Sequence, residues 1–216
     1  MTAARSAAAL LSLGLLLGGC SEGREPAAAS RMSSAPHRDG DRLGGRATAV
    51  TLDAAFLRAL AALRVAPSAA GSASLRDGVL VLPVTGGELR FADPRAASPR
   101  QVLGRVLHGG GLQLTGPNDT VVRLDDLELD PDQSRVYGAL VVDDVVVAER
   151  IDAFAVDVRD MLPVRPGEAA GLVVLQGSRW ALTEAVADAL TTALDVEGFQ
   201  PGLALGVAET TVQLDR

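Results

Sequence analysis

Short apolar segments separated by turn residues run through the middle of this chain and limit its fold more than any other feature. Between Ala73 and Leu182 these segments are rich in Val and Leu, and Gly, Pro, Asn and Asp interrupt them. The interruptions recur about every 8–12 residues, a spacing typical of all-β folds. No helical segment lies between them, as parallel strands would require. The sequence therefore predicts a mainly β domain, either an antiparallel β-sandwich or a barrel-like fold.

One hairpin is especially well marked by its turn. Asp143 and Asp144 separate the apolar segments 136–142 and 145–147, which predicts two strands joined by a two-residue turn. Residues 93–100 contain Pro94 and Pro99 and are predicted to be a loop. Further strands are predicted at 79–84, 88–91, 102–107, 112–114, 121–124, 154–158, 171–175 and 203–214.

Two short helices flank the strand region, at about 51–64 and 184–194. Thr51 is the predicted N-cap of the first helix and Thr183 that of the second. Apolar residues recur at helical spacing on one face of each, namely Leu52, Phe56, Leu60 and Leu63 in the first and Val186, Leu190 and Leu194 in the second. Both faces are expected to pack on the sheet of the same domain rather than on a partner.

The N-terminus carries a targeting pattern. Ala7 to Leu17 is an apolar run of the length of a signal-peptide core and is too short for a membrane-spanning helix. Leu17-Gly18-Gly19-Cys20 resembles the bacterial lipobox. That resemblance implies transfer of a lipid to the Cys20 thiol and cleavage before Cys20. The alternative is an ordinary secretory signal in which Cys20, the only cysteine, is incidental.

These features divide the chain into three parts. Residues 1–19 are predicted to be a signal peptide, 20–46 a disordered tether poor in large apolar side chains, and 47–216 a single β-rich domain. The tether would hold the domain clear of the lipid headgroups. The predicted location is the cell membrane, through the lipid anchor and facing away from the cytoplasm, as in lipoproteins of the cell envelope from high-GC bacteria.

Charge and aromatic content exclude some classes of function. Residues 49–216 contain 14 arginines and 23 acidic residues, a net charge of −9, which repels nucleic-acid phosphates. Trp180, Tyr137 and four phenylalanines are the whole aromatic complement, too few for stacking platforms that bind sugars or single strands. The expected role is that of a binding or structural module of the cell envelope, and the expected partners are the membrane and an envelope protein or small molecule.

A histidine followed by three glycines is the pattern most suggestive of chemistry. His108-Gly109-Gly110-Gly111 resembles the oxyanion-hole segment of lipases and esterases, but the chain has no G-x-S-x-G nucleophile motif. The other histidine, His37, lies in the predicted tether. No pair of carboxylates stands out for glycoside hydrolysis either. We therefore expect a glycine-rich turn between two strands and no enzymatic activity, with an envelope hydrolase as the remaining alternative.

Acidic residues are concentrated in one region. Residues 125–160 contain eleven acidic residues and three arginines. Within it, Asp130-Pro131-Asp132-Gln133-Ser134 places oxygen ligands at alternate positions, as calcium prefers, although it lacks the glycine and the distal glutamate of an EF-hand loop. Asp130 and Asp132 are thus candidate calcium ligands, and solvated turns and strand faces are the alternative.

Residues 106–115, with His108 and its glycines, are similar to part of the Hta-type haem-binding domain of secreted actinobacterial proteins. Leu182-Thr183-Glu184-Ala185 is similar to a helix near the end of that domain. The resemblance implies a β-rich fold and haem as a ligand. The iron-ligating tyrosine of that family belongs to an early segment without counterpart here, since Tyr137 is central, and only His108 can be carried over. The residues themselves identify no cofactor.

Overall fold

The computed structural model describes residues 41–91, 102–157, 162–166 and 171–215 of the protein. These belong to one compact unit, Arg38–Arg216. The predicted signal peptide, Cys20, most of the predicted tether, His37 and the predicted loop at 93–100 lie outside the described residues.

Twelve strands and two helices make up the described part of the chain. In chain order they are β1 (Asp41–Leu52), α1 (Ala54–Leu63), β2 (Ala66–Ala70), β3 (Ser74–Arg76), β4 (Val79–Phe91), β5 (Val102–His108), β6 (Gly111–Thr115), β7 (Val121–Asp130), β8 (Arg135–Val142), β9 (Val145–Asp157), β10 (Leu162–Pro166), β11 (Leu172–Leu182), α2 (Glu184–Leu194) and β12 (Ala204–Asp215). The prediction of a mainly β domain with two short helices is confirmed.

All strand pairings are antiparallel, and they form a closed circuit. The order is β7-β5-β4-β1-β12-β11-β9-β8, and β8 pairs with β7 again. β6 and β2 extend the sheet from β7, while β3 pairs with β4 and β10 with β11. The circuit is barrel-like but irregular, because β5 and β7 share only the pairs Val106↔Leu129 and Leu107↔Glu128.

The inward faces of the strands and one face of each helix form a single apolar core. β4 shows the alternation that a half-buried strand requires, with Leu80, Leu82 and Val84 buried. α1 packs against β12 and β2, and α2 against β9 and β7. Trp180 of β11 is fully buried and stacks on Phe154 of β9, with ring centroids 5.8 Å apart.

The two helices differ in how well they were predicted. α2 begins after Thr183, whose hydroxyl accepts a hydrogen bond from the Val186 N–H, so the predicted cap is confirmed. Thr51 was predicted to cap α1, but it belongs to β1, and Asp53 is the cap instead, accepting from the Ala55 N–H. The strand continues through Thr51 because β4 and β12 pair with it on both sides.

The structured domain also begins earlier than predicted. Residues 41–46 were assigned to the tether, but they form the first part of β1. Leu43 is buried and pairs with Leu214 of β12, so this segment is held by tertiary contacts. A local irregularity interrupts the pairing between Leu43 and Arg46, and it obscures the alternation that would mark a strand in the sequence.

Candidate functional site

His108 is the last residue of β5, and glycines carry the chain onward to β6. β5 and β6 do not pair with each other, because both pair with β7. Gly110 has a positive φ of 69°, and a Cβ added at Gly111 would lie 1.7 Å from the Leu124 carbonyl oxygen. The glycine-rich turn predicted between two strands is confirmed, and its glycines are required by close backbone approach.

Both ring nitrogens of His108 have partners inside the core. Nδ1 lies 2.8 Å from the Leu127 carbonyl oxygen, and Nε2 lies 2.7 Å from Thr48 Oγ1. A carbonyl oxygen can only accept, so Nδ1 carries the proton and Nε2 of the neutral ring accepts from the Thr48 hydroxyl. Thr48 Oγ1 is then left to accept from Thr210 Oγ1, 2.9 Å away. We call His108, Thr48 and Thr210 the polar node.

The surroundings of the polar node keep His108 neutral. The side chain is only 3% exposed. Burial lowers the pKa of His108 from 6.5 to about 4, and the hydrogen bond to the Leu127 carbonyl offsets part of that effect. At neutral pH the ring has no free lone pair and no route to solvent, so in this arrangement it can neither bind a metal nor exchange protons with a substrate. Its role here is to connect β5 with β1, β7 and β12.

Several acidic residues of the 125–160 region are paired with arginines on the strand surface. Arg123 of β7 contacts Asp125 at 3.1 Å and Asp144 at 2.6 Å, and these hydrogen bonds raise the pKa of Arg123. Asp143 Oδ1 accepts from the Val121 N–H. The predicted two-residue turn is confirmed, and Asp143 and Asp144 both have positive φ, as a type I′ turn requires. These contacts fix the β8–β9 turn on β7.

The candidate calcium ligands lie at the turn between β7 and β8. Asp130 Oδ1 accepts a hydrogen bond from the Gln133 N–H, which is the usual way an aspartate stabilises a turn. Asp132 is exposed. Nowhere in the described residues do three His, Cys, Asp or Glu side chains come together in a group that could hold a metal ion. Calcium binding by Asp130 and Asp132 stays a prediction.

An open cleft of about 580 Å³ lies beside the start of α2. Arg135 and Asp152 face it and form an ion pair with a Nε–Oδ2 distance of 3.1 Å. Thr183 donates to the Asp152 carbonyl oxygen, while Asp152 Oδ1 has no partner. Glu184 completes the polar part of the lining. The cleft therefore offers a cation and a carboxylate to a small polar group.

Sequence reasoning selected His108 but not the residues that hold it. Thr48 and Thr210 are 60 and 102 positions away in the chain, and neither belongs to a motif. The structure buries both at inward positions of β1 and β12, where a Thr hydroxyl requires a hydrogen-bond partner, but burial is not visible in the sequence.

The only tyrosine, Tyr137, is also engaged within the chain. Its hydroxyl donates to Gln133 Oε1, and the Arg150 guanidinium covers its ring at 3.4 Å.

The architecture is that of an antiparallel β domain already known among solved structures. The chain is similar to the C-terminal domain of HtaA from Corynebacterium glutamicum, with a TM-score of 0.56 and 11% sequence identity over 81% of this chain and 99% of that domain. A domain-swapped dimer of a histidine-to-alanine variant of the same domain matches with a TM-score of 0.45, at 12% identity over 75% of this chain and 92% of that one. At this identity the likeness shows the fold.

Two other comparisons found nothing. No protein-family model matches the chain, and no curated protein matches it. In the part of the chain that the structure describes, neither helix has the length and apolar character needed to cross a membrane.

Proposed function

We propose that this protein is a lipid-anchored binding module that faces away from the cytoplasm. The Leu17-Gly18-Gly19-Cys20 motif supports the anchor. The similarity of fold to the HtaA domain supports a binding role. The observation that favours binding over catalysis is the occupation of both His108 ring nitrogens by Thr48 and Leu127, because this removes the one histidine that resembled a catalytic motif.

The anchor is tested at Cys20 in cells that express the full chain. The expected result is incorporation of labelled fatty acid and partition into the detergent phase, both lost in Cys20→Ser. Ser6→Ala, within the predicted signal peptide, is the matched control and should behave as the parent chain. Equal labelling of the parent chain and Cys20→Ser would contradict the anchor and leave an ordinary secretory signal.

Haem is the ligand that the resemblance to Hta-type domains implies, and the described residues give it a poor fit. His108, the one residue carried over, is buried and bonded at both nitrogens. The Tyr137 hydroxyl and ring are likewise engaged, by Gln133 and Arg150. Haem ligation through Nε2 of His108 would require the hydrogen bond from Thr48 to break, and ligation through Nδ1 would require loss of the hydrogen bond to Leu127. Haem is therefore the second candidate, supported by fold and motif but not by this arrangement of side chains.

A titration with haemin distinguishes a haem-binding module from a module that binds another ligand. If His108 ligates haem, the purified chain should show a shifted Soret band that saturates at one equivalent, and His108→Ala should abolish it. Thr210→Val is the control, since it alters the polar node but retains the imidazole. The absence of any Soret shift in the folded parent chain would eliminate haem and leave a binding module for another ligand.

Calcium is the remaining candidate ligand, through Asp130 and Asp132. Binding to the folded state raises the melting temperature by mass action, so millimolar calcium should stabilise the parent chain relative to chelator. Asp130→Asn combined with Asp132→Asn should remove the difference, and Asp77→Asn, in another turn, should not. Identical melting temperatures with calcium and chelator would rule the site out.

A further inference from the structure

The shortest strand pairing of the circuit, among the described strands, lies between β5 and β7. It consists of the pairs Val106↔Leu129 and Leu107↔Glu128. β5 pairs with β4 along its whole length, and β7 pairs with β8 along most of its own. Separating β5 from β7 would therefore break two ladder pairs and leave both strands in the sheet. We call the contact between β5 and β7 the seam.

A bulge in β7 adjoins the seam. Among the described residues, Asp126 and Leu127 have no partner in the ladders that β7 forms with β5, β6 and β8. Their backbone groups bind the end of β5 and the turn after it instead. The Leu127 carbonyl oxygen accepts from His108 Nδ1, and the Asp126 N–H donates to the Gly110 carbonyl oxygen. The imidazole thus supplies a contact across the seam that the strand ladder lacks.

Surface side chains near the seam bind away from it. The Glu128 carboxylate contacts Arg150 of β9 at 3.4 Å. On the other side, the Thr85 hydroxyl of β4 donates to the Leu107 carbonyl oxygen. Leu107 itself is 39% exposed, so no side chain covers it. These contacts hold β7 and β5 to their other neighbours and add nothing across the seam.

His108 is held more firmly on the side that faces away from the seam. Thr48, which bonds Nε2, lies on β1, and β1 pairs with both β4 and β12 through most of its residues. Thr210 on β12 bonds Thr48 in turn. If β5 and β7 separate, the imidazole therefore stays with β1 and β4. The contact that breaks is the one between Nδ1 and Leu127.

We propose that the seam opens while the rest of the circuit stays closed, and that opening exposes Nδ1 of His108 to a ligand. Strands joined by few hydrogen bonds separate at a lower cost than the whole domain unfolds. The closed form dominates, because opening also exposes the buried side chains of Val106 and Leu129. The inference rests on the proposed binding role and adds a route by which a buried histidine becomes available.

The polar node allows His108 to present a lone pair at the open seam. A neutral imidazole can carry its proton on either nitrogen, and water at the open seam can exchange it. With the proton on Nε2, this nitrogen donates to Thr48 Oγ1, and Thr48 donates to Thr210 Oγ1. The same atoms stay in contact, with the direction of each hydrogen bond reversed. The site therefore suits a ligand that accepts an electron pair from Nδ1.

Chemical modification of the full chain tests the opening without any ligand. Diethyl pyrocarbonate acylates an imidazole nitrogen that carries a lone pair. A Cys20→Ser, His37→Gln background leaves His108 as the single histidine. The mass of the peptide that contains His108 reports the modification. The folded chain should be modified without denaturant, and modification in urea alone would overturn the proposal.

Two disulfides separate local opening from global unfolding. Leu107→Cys with Glu128→Cys joins β5 to β7, since facing Cα atoms are about 4.5–5.5 Å apart and within disulfide range. Ala49→Cys with Glu209→Cys is the matched control, because it joins the facing residues of β1 and β12 and also removes one surface glutamate. Thermal melting of both oxidised variants checks that the domain is folded.

The two oxidised variants should differ in the rate at which His108 is modified. The seam disulfide should slow the reaction at least about tenfold relative to the control disulfide, because only the first prevents local opening. Reduction should restore the rate of the unlocked background. Equal rates in the two oxidised variants would overturn the proposal. A negative haemin titration would leave these rates unchanged, so failure of the proposed ligand and failure of the seam are distinguishable.

Discussion

The polar node and the valine segment at the start of β9, Val145–Val147, depart from ordinary burial in opposite ways. The node buries His108, Thr48 and Thr210 in an apolar core, and the valine segment exposes its three side chains to solvent. The two regions differ in their contacts within the chain. Each polar group of the node has a hydrogen-bond partner, whereas β11 pairs with β9 only from Phe154 to Asp157 and does not reach the valine segment. The node therefore stabilises the fold, and the valine segment is expected to contribute little to it.

Removing the imidazole of His108 should lower the free energy of unfolding more than any other change in either region. His108→Ala leaves a cavity and deprives Thr48 and the Leu127 carbonyl of their partner, so the free energy of unfolding should fall by about 3–5 kcal/mol. Urea denaturation, followed by the fluorescence of the single, buried Trp180, measures it. A loss below about 1 kcal/mol, the range of a surface substitution, would show that the node is not a stabilising element.

Lowering the pH should destabilise the fold through protonation of His108, which is the titratable side chain of the polar node. The folded pKa of about 4 lies below the ordinary 6.5, so between these values the unfolded chain binds the proton and the folded chain does not. Stability from this group is complete above pH 6.5, falls by about 3 kcal/mol as the pH drops to 4, and is constant below.

The pH effect is isolated by comparing the parent chain with His108→Gln across that range. Carboxylates contribute equally to both chains, so their difference in unfolding free energy reports His108. A difference that does not change between pH 6.5 and 4 would contradict a depressed pKa.

Removing one hydroxyl should have a smaller effect. Thr48→Val keeps the shape of the side chain but leaves His108 Nε2 without a donor and Thr210 without its acceptor, for a loss of about 2 kcal/mol. Thr51→Val, on the exposed side of the same strand, should change stability by less than about 0.5 kcal/mol. Equal effects of the two substitutions would mean that burial, and not the hydrogen bonds, makes Thr48 important.

Substitution in the valine segment should change stability least. Val146→Thr retains the β-branched shape at an exposed position, and the unfolding free energy of the dilute protein should change by less than about 0.5 kcal/mol. The same urea titration measures it. A loss above about 1 kcal/mol would show that the valine segment contributes to the fold, and the contrast with the node would disappear.

The sequence predicted what depends on local patterns. The hairpin turn at Asp143-Asp144, the cap at Thr183 and the glycine turn after His108 all follow from residues adjacent in the chain. β2, β3 and β10 were missed. In β2, Ala66–Ala70 contains Pro67 and small side chains and becomes a strand only by pairing with β6. The pattern also failed at Thr51, where two neighbouring strands override a helix-capping residue.

The candidate site was predictable only in part. His108 was selected by its motif, but its burial depends on Thr48 and Leu127, which no local pattern connects to it. Val145–Val147 reads as an ordinary strand, because a bulge depends on the number of residues opposite it on β8 and leaves no mark in its own sequence. Long-range pairing decides both features.

The pairing of β1 with β12 has a consequence for how the chain matures. Thr48 and Thr210 form their hydrogen bond across 162 residues, so the circuit closes only after the last strand has been synthesised. Sheets dominated by such distant pairings fold in about milliseconds to seconds, far slower than local helical folds. A chain that cannot complete its first strand until its last one emerges stays open throughout synthesis. Such a delay would suit the export before folding that the proposed lipid anchor at Cys20 implies.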